Sequence, residues 1–385
     1  MMIPTTALHA AAFWVLGLVN NIPYVIMIAG AKDINSGGVG LVYVSEVLPS
    51  LLVQFTGPYW FQLVSYRTRL YAAGMCMALS FLTVVLGFHR SLVLQLVGVC
   101  LNGVQSAIGE SSLLAYSSHF DDPRLCLTAW SSGTGFAGVA GFVYVTLLTS
   151  ILPLPTTLLL ALVFPVTYVI VFARYLAMSP HTPDARPLLL RTTKLLDFHD
   201  GVHLTLSLWP YMLPLVLVYA AEYAMMAGTW AAIGFPIADP AARALFYRDA
   251  GFTYQIGVFV ARSSGTWLRL QRRSLLLLAL MQVVLFVFFY AVACVQPPQL
   301  YNFGLLLPCF VVGCVGGLVY VNAFTLLSDE VLDHKEFALA AASVSMNMGV
   351  LSADITSLFI QGCLYSMHRL PGATVQVDCQ KTPFG

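Results

Sequence analysis

Long apolar stretches separated by short polar connections run through the whole chain. A helix that crosses a bilayer needs about 20 consecutive, mostly apolar residues. The pattern predicts spans at residues 9–29, 41–64, 70–88, 91–118, 125–149, 156–178, 208–230, 249–267, 274–295, 300–327 and 336–360. Backbone groups must be hydrogen-bonded internally in lipid, so each span is expected to be a helix. The chain is therefore predicted to be an all-α polytopic membrane protein with about eleven transmembrane helices.

Two further features bear on the topology of the chain in the membrane. Lys and Arg residues are roughly twice as frequent in the connections on the side of the N-terminus as on the other side, which predicts a cytosolic N-terminus. Residues 361–385 fit either a short additional segment that folds back or a tail in water.

Composition agrees with a membrane protein and excludes several other classes. Of the 385 residues, 59% are hydrophobic and only 9% are charged, and the net charge of +1 gives no reason to expect nucleic acid as a partner. The sequence lacks a Cys/His spacing typical of metal sites and the motifs of common hydrolases. We therefore expect neither a cofactor nor an enzymatic activity, and the lipid bilayer is the first predicted partner.

The longest polar connection divides the chain near its centre. We predict an N-terminal six-helix bundle at 1–178, a cytosolic linker at 179–207, and a C-terminal bundle of five or six helices at 208–385. The segment LVNNIPYVIMIAG (18–30) of the first span is echoed by VYAAEYAMMAG (218–228) of the seventh. Two repeated halves with a binding site between them are typical of major-facilitator transporters.

Polar side chains inside the predicted spans are the candidates for function. A charged group at the centre of a membrane helix costs about 2.5–3.5 kcal/mol or more, so it normally faces a partner or a water-filled cavity. The candidates for a substrate or proton pathway are Asn20, Asn21, Glu46, Asn102, Glu110, Ser131, Ser132, Glu222, Arg262, Asn322, Asn347 and Asp354.

Helical spacing groups some of these residues. Asn102, Ser106 and Glu110 are four residues apart and share one face of the fourth span. The first, fourth, seventh and tenth spans line the cavity in the major-facilitator plan, and each contains a candidate. The alternative is that the amides only hold helices together, since such bonds contribute about 0.6 kcal/mol without any function.

The two central carboxyl groups favour a function more strongly than the amides. Glu110 and Glu222 would be costly to bury as unpaired charges, and a carboxyl group in such a place can bind and release a proton. Arg262 has three interpretations: a counter-ion for a carboxylate, a ligand for an anionic substrate, or a side chain that extends to the cytosolic interface. Extension to the interface is slightly favoured by its position near the end of the eighth span.

Two short motifs receive opposite interpretations. GTGFAG (133–138) formally matches a dinucleotide-binding fingerprint, but it lies in an apolar helix and not between a strand and a helix. Its small residues indicate close helix packing. DARPLL (184–189), in the predicted linker, resembles an acidic dileucine sorting signal formed by Asp184, Leu188 and Leu189, and it predicts binding to sorting adaptors.

Several blocks together resemble one family. They are FWVLGLVNNIPYVIMIAGAKDI (13–34), WSSGTGFAG (130–138), LVYAAEYAMMAG (217–228), YQIGVFVARSS (254–264), GGLVYVNAF (316–324) and DHKEFALAA (333–341). Blocks of this kind are similar to those of the battenin family of lysosomal membrane proteins. Because the blocks extend from the first span to the eleventh, the resemblance covers nearly the whole chain.

The resemblance implies a major-facilitator-like fold in a lysosomal or vacuolar membrane. It also implies links to lysosomal pH, to basic amino-acid balance and to the export of glycerophosphodiesters. The family positions it carries over are Asn20, Asn21, Glu46, Glu110, Ser131, Ser132, Glu222, Arg262 and Asn322.

Two functions follow from these observations. The first is a proton-linked transporter of small polar solutes, with Glu110 and Glu222 meeting in one pocket between the halves. The second is a scaffold or trafficking regulator of the endolysosomal system that acts through its cytosolic loops.

Overall fold

The computed structural model describes residues 5–30, 34, 39–88, 90–177, 198–331, 334–373, 375–377 and 379. The predicted sorting residues Asp184, Leu188 and Leu189, and most of the 179–207 connection, lie outside these residues.

Eleven long helices occupy the positions of the eleven predicted spans. They are α1 (Thr5–Ala29), α2 (Val39–Trp60), α3 (Tyr66–Gly87), α4 (Leu92–Ser117), α5 (Pro123–Thr149), α6 (Leu154–Leu176), α7 (Trp209–Ala232), α8 (Pro240–Ser263), α9 (Arg272–Val295), α10 (Phe303–Glu330) and α11 (Lys335–Met367). A short helix, Phe198–Ser207, precedes α7. Among the described residues, nine helices are long and apolar enough to cross a membrane, the two others being α2 and α8.

Helix packing repeats between the two halves of the chain. In the first half α1 packs on α5, and α4 packs on α2 and α3; in the second half α7 packs on α11, and α10 packs on α8 and α9. The halves meet through α5 against α8 and α2 against α11. Adding six to each helix number maps one set of contacts onto the other, so the two bundles are pseudo-symmetric. The space between them is where a site shared by both halves can form.

Because consecutive helices within each half are joined by short connections, they alternate in direction. The end of the bundle at which α1 begins is called the N-terminal face, and the end at which α1 finishes is called the opposite face. Glycines permit the closest helix contact within the first half: a Cβ atom on Gly133 of α5 would overlap the backbone oxygen of Trp14 in α1. The GTGFAG segment is thus a packing surface, as predicted.

Two helices extend more than five residues beyond the predicted spans. Helix α8 begins at Pro240, nine residues before the predicted start, with the side chain of Asp239 accepting a hydrogen bond from the backbone N–H of Ala241 at 2.9 Å. An Asp cap followed by Pro at the first position is a strong start signal, which the charges of the next turn concealed. Helix α11 continues to Met367, past the end of its apolar run.

The segment after α11 folds back on the helix end. Cys363, in the last turns of α11, forms a disulfide with Cys379. Gly362 lies against the backbone of Val375, where a Cβ atom would overlap a carbonyl oxygen. The described part of this tail contains no further helix. The sequence had left open whether the segment folds back, and its covalent attachment on the opposite face was not predicted.

Candidate functional site

A small cavity of about 100 Å³ lies between the two bundles. Its polar lining comes from seven helices: Asn21 and Tyr24 of α1, Glu46 and Ser50 of α2, Ser106 and Glu110 of α4, Tyr219 and Tyr223 of α7, Arg262 of α8, Tyr320 of α10, and Asn347 of α11. At about 30 Å³ for each molecule, the volume holds roughly three waters. Of the predicted candidates, this cavity brings together Asn21, Glu46, Glu110, Arg262 and Asn347.

Glu110 connects the two halves. Its Oε1 atom accepts a hydrogen bond from the hydroxyl of Tyr320 in the C-terminal half at 3.0 Å. Its Oε2 atom accepts a bond from Nε2 of Gln54 at 3.4 Å, and Oε1 of Gln54 accepts from Nδ2 of Asn347 at 2.6 Å. Glu110 is 8% exposed and Gln54 is completely buried, so this network is held between helices and not at the surface.

Arg262 faces the cavity from the C-terminal half. Its Nη1 atom donates to Oγ1 of Thr134 at 2.7 Å and its Nη2 atom donates to the hydroxyl of Tyr219 at 2.8 Å. The guanidinium carbon lies 4.0 Å from the ring centre of Tyr320, a cation–π arrangement. The expectation that Arg262 extends to the cytosolic interface is wrong, because two hydroxyl acceptors and an aromatic face hold it inside.

Glu46 lies in the part of the cavity wall that the N-terminal half forms. Its Oε1 atom accepts a bond from Nδ2 of Asn102 at 3.0 Å. Its Oε2 atom is buried and has no hydrogen-bond partner, although the residue is only 2% exposed. Glu46 is therefore buried beside the cavity, with Asn102 as its partner.

Glu222 is held away from the cavity within the C-terminal bundle. It accepts hydrogen bonds from the hydroxyl of Tyr254 in α8 and, at 3.3 Å, from Nε2 of Gln282 in α9. A Cβ atom on Gly316 of α10 would collide with its carboxylate, so that glycine leaves room for it. These contacts correct the expectation that Glu110 and Glu222 share one pocket: of the two, only Glu110 lines the cavity.

Several other candidates take part in helix packing. Asn20 bonds within the N-terminal bundle, to the backbone oxygen of Ser106 at 3.3 Å and to Nε2 of Gln105 at 2.9 Å. Asn322 accepts from the backbone N–H of Leu270 at 3.1 Å, which secures the connection after α8. The hydroxyl of Ser131 is buried in α5 without a hydrogen-bond partner.

On the N-terminal face, hydrogen bonds and an ion pair join the two halves. The guanidinium group of Arg124 in α5 donates to the backbone oxygen of Gly265 at 2.9 and 3.1 Å and pairs with Asp329 of α10 at 3.3 Å. One layer deeper, the hydroxyls of Ser132 in α5 and Ser263 in α8 lie 2.8 Å apart.

On the opposite face, tyrosines from symmetry-related helices meet. Tyr24 of α1 lies beside Tyr223 of α7, and Tyr43 of α2 lies beside Tyr247 of α8. Asp354 of α11 is close enough to interact electrostatically with these tyrosines, and its Oδ2 atom is buried without a hydrogen-bond partner. Side chains of the two halves thus meet on both the N-terminal face and the opposite face.

Sequence reasoning missed several members of this site. Tyr24, Ser50, Gln54, Thr134 and Tyr320 were not candidates, although each contacts the cavity or the residues that line it. Gln54, a lone amide within an apolar run, carried the same signal as Asn347 and should have been chosen. The tyrosines carried no such signal, because an aromatic residue in a membrane helix is ordinary core.

Comparisons with known proteins fit this arrangement. The family model described as CLN3 protein matches the chain in two segments, residues 11–202 and 191–367. Protein BTN1 of Yarrowia lipolytica is 32% identical and is covered over 96% of this chain and 98% of its own length. Battenin of Canis lupus familiaris is 30% identical, with 91% of this chain and 90% of its own length covered.

Solved structures of transporters share the fold. The E. coli fucose:proton symporter FucP superimposes with a TM-score of 0.65 at 12% identity, covering 95% of this chain and 98% of that one. A bacterial homologue of the human lysosomal transporter Spinster gives a TM-score of 0.52 at 13% identity, covering 93% and 83%. The fold is that of the major-facilitator superfamily, and the chain belongs to the CLN3 protein family.

Proposed function

We propose that this protein is a proton-linked secondary transporter that carries small polar solutes across the lysosomal or vacuolar membrane. The observation that supports this most strongly is the meeting of Glu110 and Arg262, from different halves, at one cavity. A solute bound there contacts both bundles, so its binding energy can depend on how the bundles are arranged. Alternating access needs that dependence.

The moving units in this proposal are residues 1–178 and 208–385, joined by the 179–207 connection. Opening toward the N-terminal face requires separation of Arg124 from Asp329 and Gly265. Opening toward the opposite face requires separation of the tyrosine pairs. Both sets of contacts join polar side chains, which suits contacts that must break and form again.

Solute chemistry follows from the charged groups of the cavity. Arg262 retains a buried Nε atom without a hydrogen-bond partner, and a guanidinium group binds phosphate or carboxylate oxygens well. Glycerophosphodiesters, which the family resemblance implied, have such oxygens. Basic amino acids are the other class implied, and their ammonium groups would face Glu110.

The proposed orientation places the N-terminal face in the cytosol and the opposite face in the lumen. The disulfide between Cys363 and Cys379 supports this orientation, because such bonds persist in oxidising compartments and are rare in the cytosol. The 179–207 connection is then cytosolic, where sorting adaptors could bind its dileucine motif.

The test is uptake of a labelled glycerophosphodiester or a basic amino acid by proteoliposomes that contain the purified full chain. Glu110→Gln is expected to lower uptake about tenfold or more, as loss of a hydrogen-bonded charge beside a solute costs about 1.5–3 kcal/mol. Glu222→Gln is the matched control, a buried carboxyl group off the cavity. Equal uptake by the wild type and by Glu110→Gln, with both proteins folded, would contradict the proposal. A scaffold would show no uptake at all.

A further inference from the structure

Glu46 differs from the other buried carboxylates of the chain in its partners. Both carboxylate oxygens of Glu110 and both of Glu222 accept hydrogen bonds. Glu46 receives one bond, from Asn102, and its second oxygen is buried without a partner at the cavity wall. The negative charge of Glu46 is therefore not offset by a partner at its second oxygen.

The charged and titratable groups around Glu46 do not neutralise it. From α4 it faces Cys100 and Glu110, from α1 Tyr24, and from α11 Asp354 lies further toward the opposite face. Arg262 of α8, on the other side of the cavity, is already bonded to Thr134 and Tyr219. Among the described residues, the groups facing Glu46 are thus neutral or acidic apart from Arg262.

Helix packing fixes Glu46 in this position. Its helix approaches α4 so closely that a Cβ atom on Gly103 would overlap the backbone oxygen of Glu46. That contact holds the carboxylate next to Asn102, whose own Oδ1 atom is buried and also unpartnered. Two oxygen acceptors without donors therefore lie beside one cavity.

A buried carboxylate without a counter-charge is unstable and takes up a proton or another cation. Building on the transport function proposed above, we infer that Glu46, supported by Asn102, is the binding site of the coupling cation, separate from the Glu110–Arg262 network that contacts the solute. The ligand class is a monovalent cation, a proton or Na⁺. Either one would neutralise the carboxylate at its free Oε2 atom and allow the two halves to pack together as in this structure.

Transport assays separate coupling from solute movement. A pH difference of one unit corresponds to about 1.4 kcal/mol per proton, so one-to-one coupling permits about tenfold accumulation. Glu46→Gln mimics the neutral carboxyl group. We expect it to retain solute exchange at equal pH on both sides while gradient-driven accumulation disappears. Glu46→Asp is expected to restore part of the accumulation, and Glu222→Gln, the matched control, is expected to accumulate like the wild type.

The outcomes distinguish the possibilities. If accumulation follows a Na⁺ gradient and not a pH gradient, and Glu46→Gln abolishes it, the coupling cation is Na⁺ and Glu46 is confirmed as its binding site. If Glu46→Gln still accumulates solute, the inference is overturned. If Glu46→Gln folds but has lost exchange as well, Glu46 belongs to the solute site and the inference is also overturned.

A second measurement does not depend on transport. Dicyclohexylcarbodiimide, an apolar reagent that modifies protonated carboxyl groups, should label Glu46 of the purified wild-type protein, as located by mass spectrometry. Labelling should decrease as the pH is raised, and it should decrease with added Na⁺ if that is the ligand. Labelling independent of both pH and Na⁺, or none at any pH, would overturn the inference. If the wild type takes up neither solute, the transport proposal fails, and this labelling still decides whether Glu46 binds a cation.

Discussion

Arg262 lies with its guanidinium carbon 4.0 Å from the ring centre of Tyr320. The hydroxyl of that tyrosine donates to Glu110 in the other half of the molecule. Tyr320 therefore contacts a positively charged group, Arg262, and a negatively charged group, Glu110, in the lining of one cavity. A movement of one half changes the environment of both groups at once.

Removal of the Tyr320 hydroxyl tests this connection. Tyr320→Phe keeps the ring beneath Arg262 and deletes the bond to Glu110, so uptake is expected to fall about tenfold, since a hydrogen bond to a charged group contributes about 1.5–3 kcal/mol. Tyr168→Phe is the control, because the Tyr168 hydroxyl is buried in α6 without a partner. Equal uptake rates for the two variants would show that the bond has no role in transport.

The tyrosine pairs predict a crosslink that stops transport. A Tyr24→Cys, Tyr223→Cys double variant, made in a background without the reactive native thiols, should lose uptake when oxidised, because the opposite face cannot then open. Reductant should restore uptake. Each single variant, treated in the same way, is the control. A crosslinked protein that transports at the uncrosslinked rate would exclude opening at this point.

Glycine packing predicts a selective loss of stability. Gly133→Ala forces a Cβ atom against the backbone of α1 and is expected to lower stability by about 1–3 kcal/mol, as overpacking does. Gly251→Ala is the control, because a Cβ atom at that position of α8 meets nothing within 4 Å. Thermal unfolding in detergent measures both variants. A melting temperature for Gly133→Ala at or above that of Gly251→Ala would contradict the close α1–α5 contact.

The disulfide predicts the topology of the chain. In intact isolated organelles, a reduced Cys363 or Cys379 should react with a membrane-impermeant maleimide only after the membrane is permeabilised. The double variant Cys363→Ser, Cys379→Ser serves as the control for other thiols. Labelling of the reduced pair without permeabilisation would place the opposite face in the cytosol and reverse the proposed orientation.

Much of the fold could be predicted from the sequence because a segment that crosses lipid must be a long, mostly apolar helix. Apolar length indicates where helices lie: eleven long helices of the described residues coincide with the predicted spans, and nine of them are long and apolar enough to cross a membrane. The start of α8 was misplaced since Arg243, Arg248 and Asp249 look like a loop when only hydropathy is considered, whereas Asp239 and Pro240 mark the true start.

The site was less predictable, because it depends on which way side chains point across helices. Glu222 and Tyr219 lie less than one turn apart on α7, yet Tyr219 lines the cavity and Glu222 bonds to Tyr254 behind it. Burial cost identified carboxylates and amides as important, but it could not separate those in the cavity from those in a bundle. The Cys363–Cys379 bond was not predictable for a related reason: sequence spacing contains no information on the fold-back of the tail.

The central claim is that Glu110 and Arg262 act as one unit on a solute between the halves. A double-mutant cycle with Glu110→Gln and Arg262→Gln, measured as uptake in proteoliposomes, tests it most directly. We predict that the two effects are not additive and differ by about 1–3 kcal/mol, as for residues in one network. Additive effects, or uptake at the wild-type rate in either single variant, would contradict it.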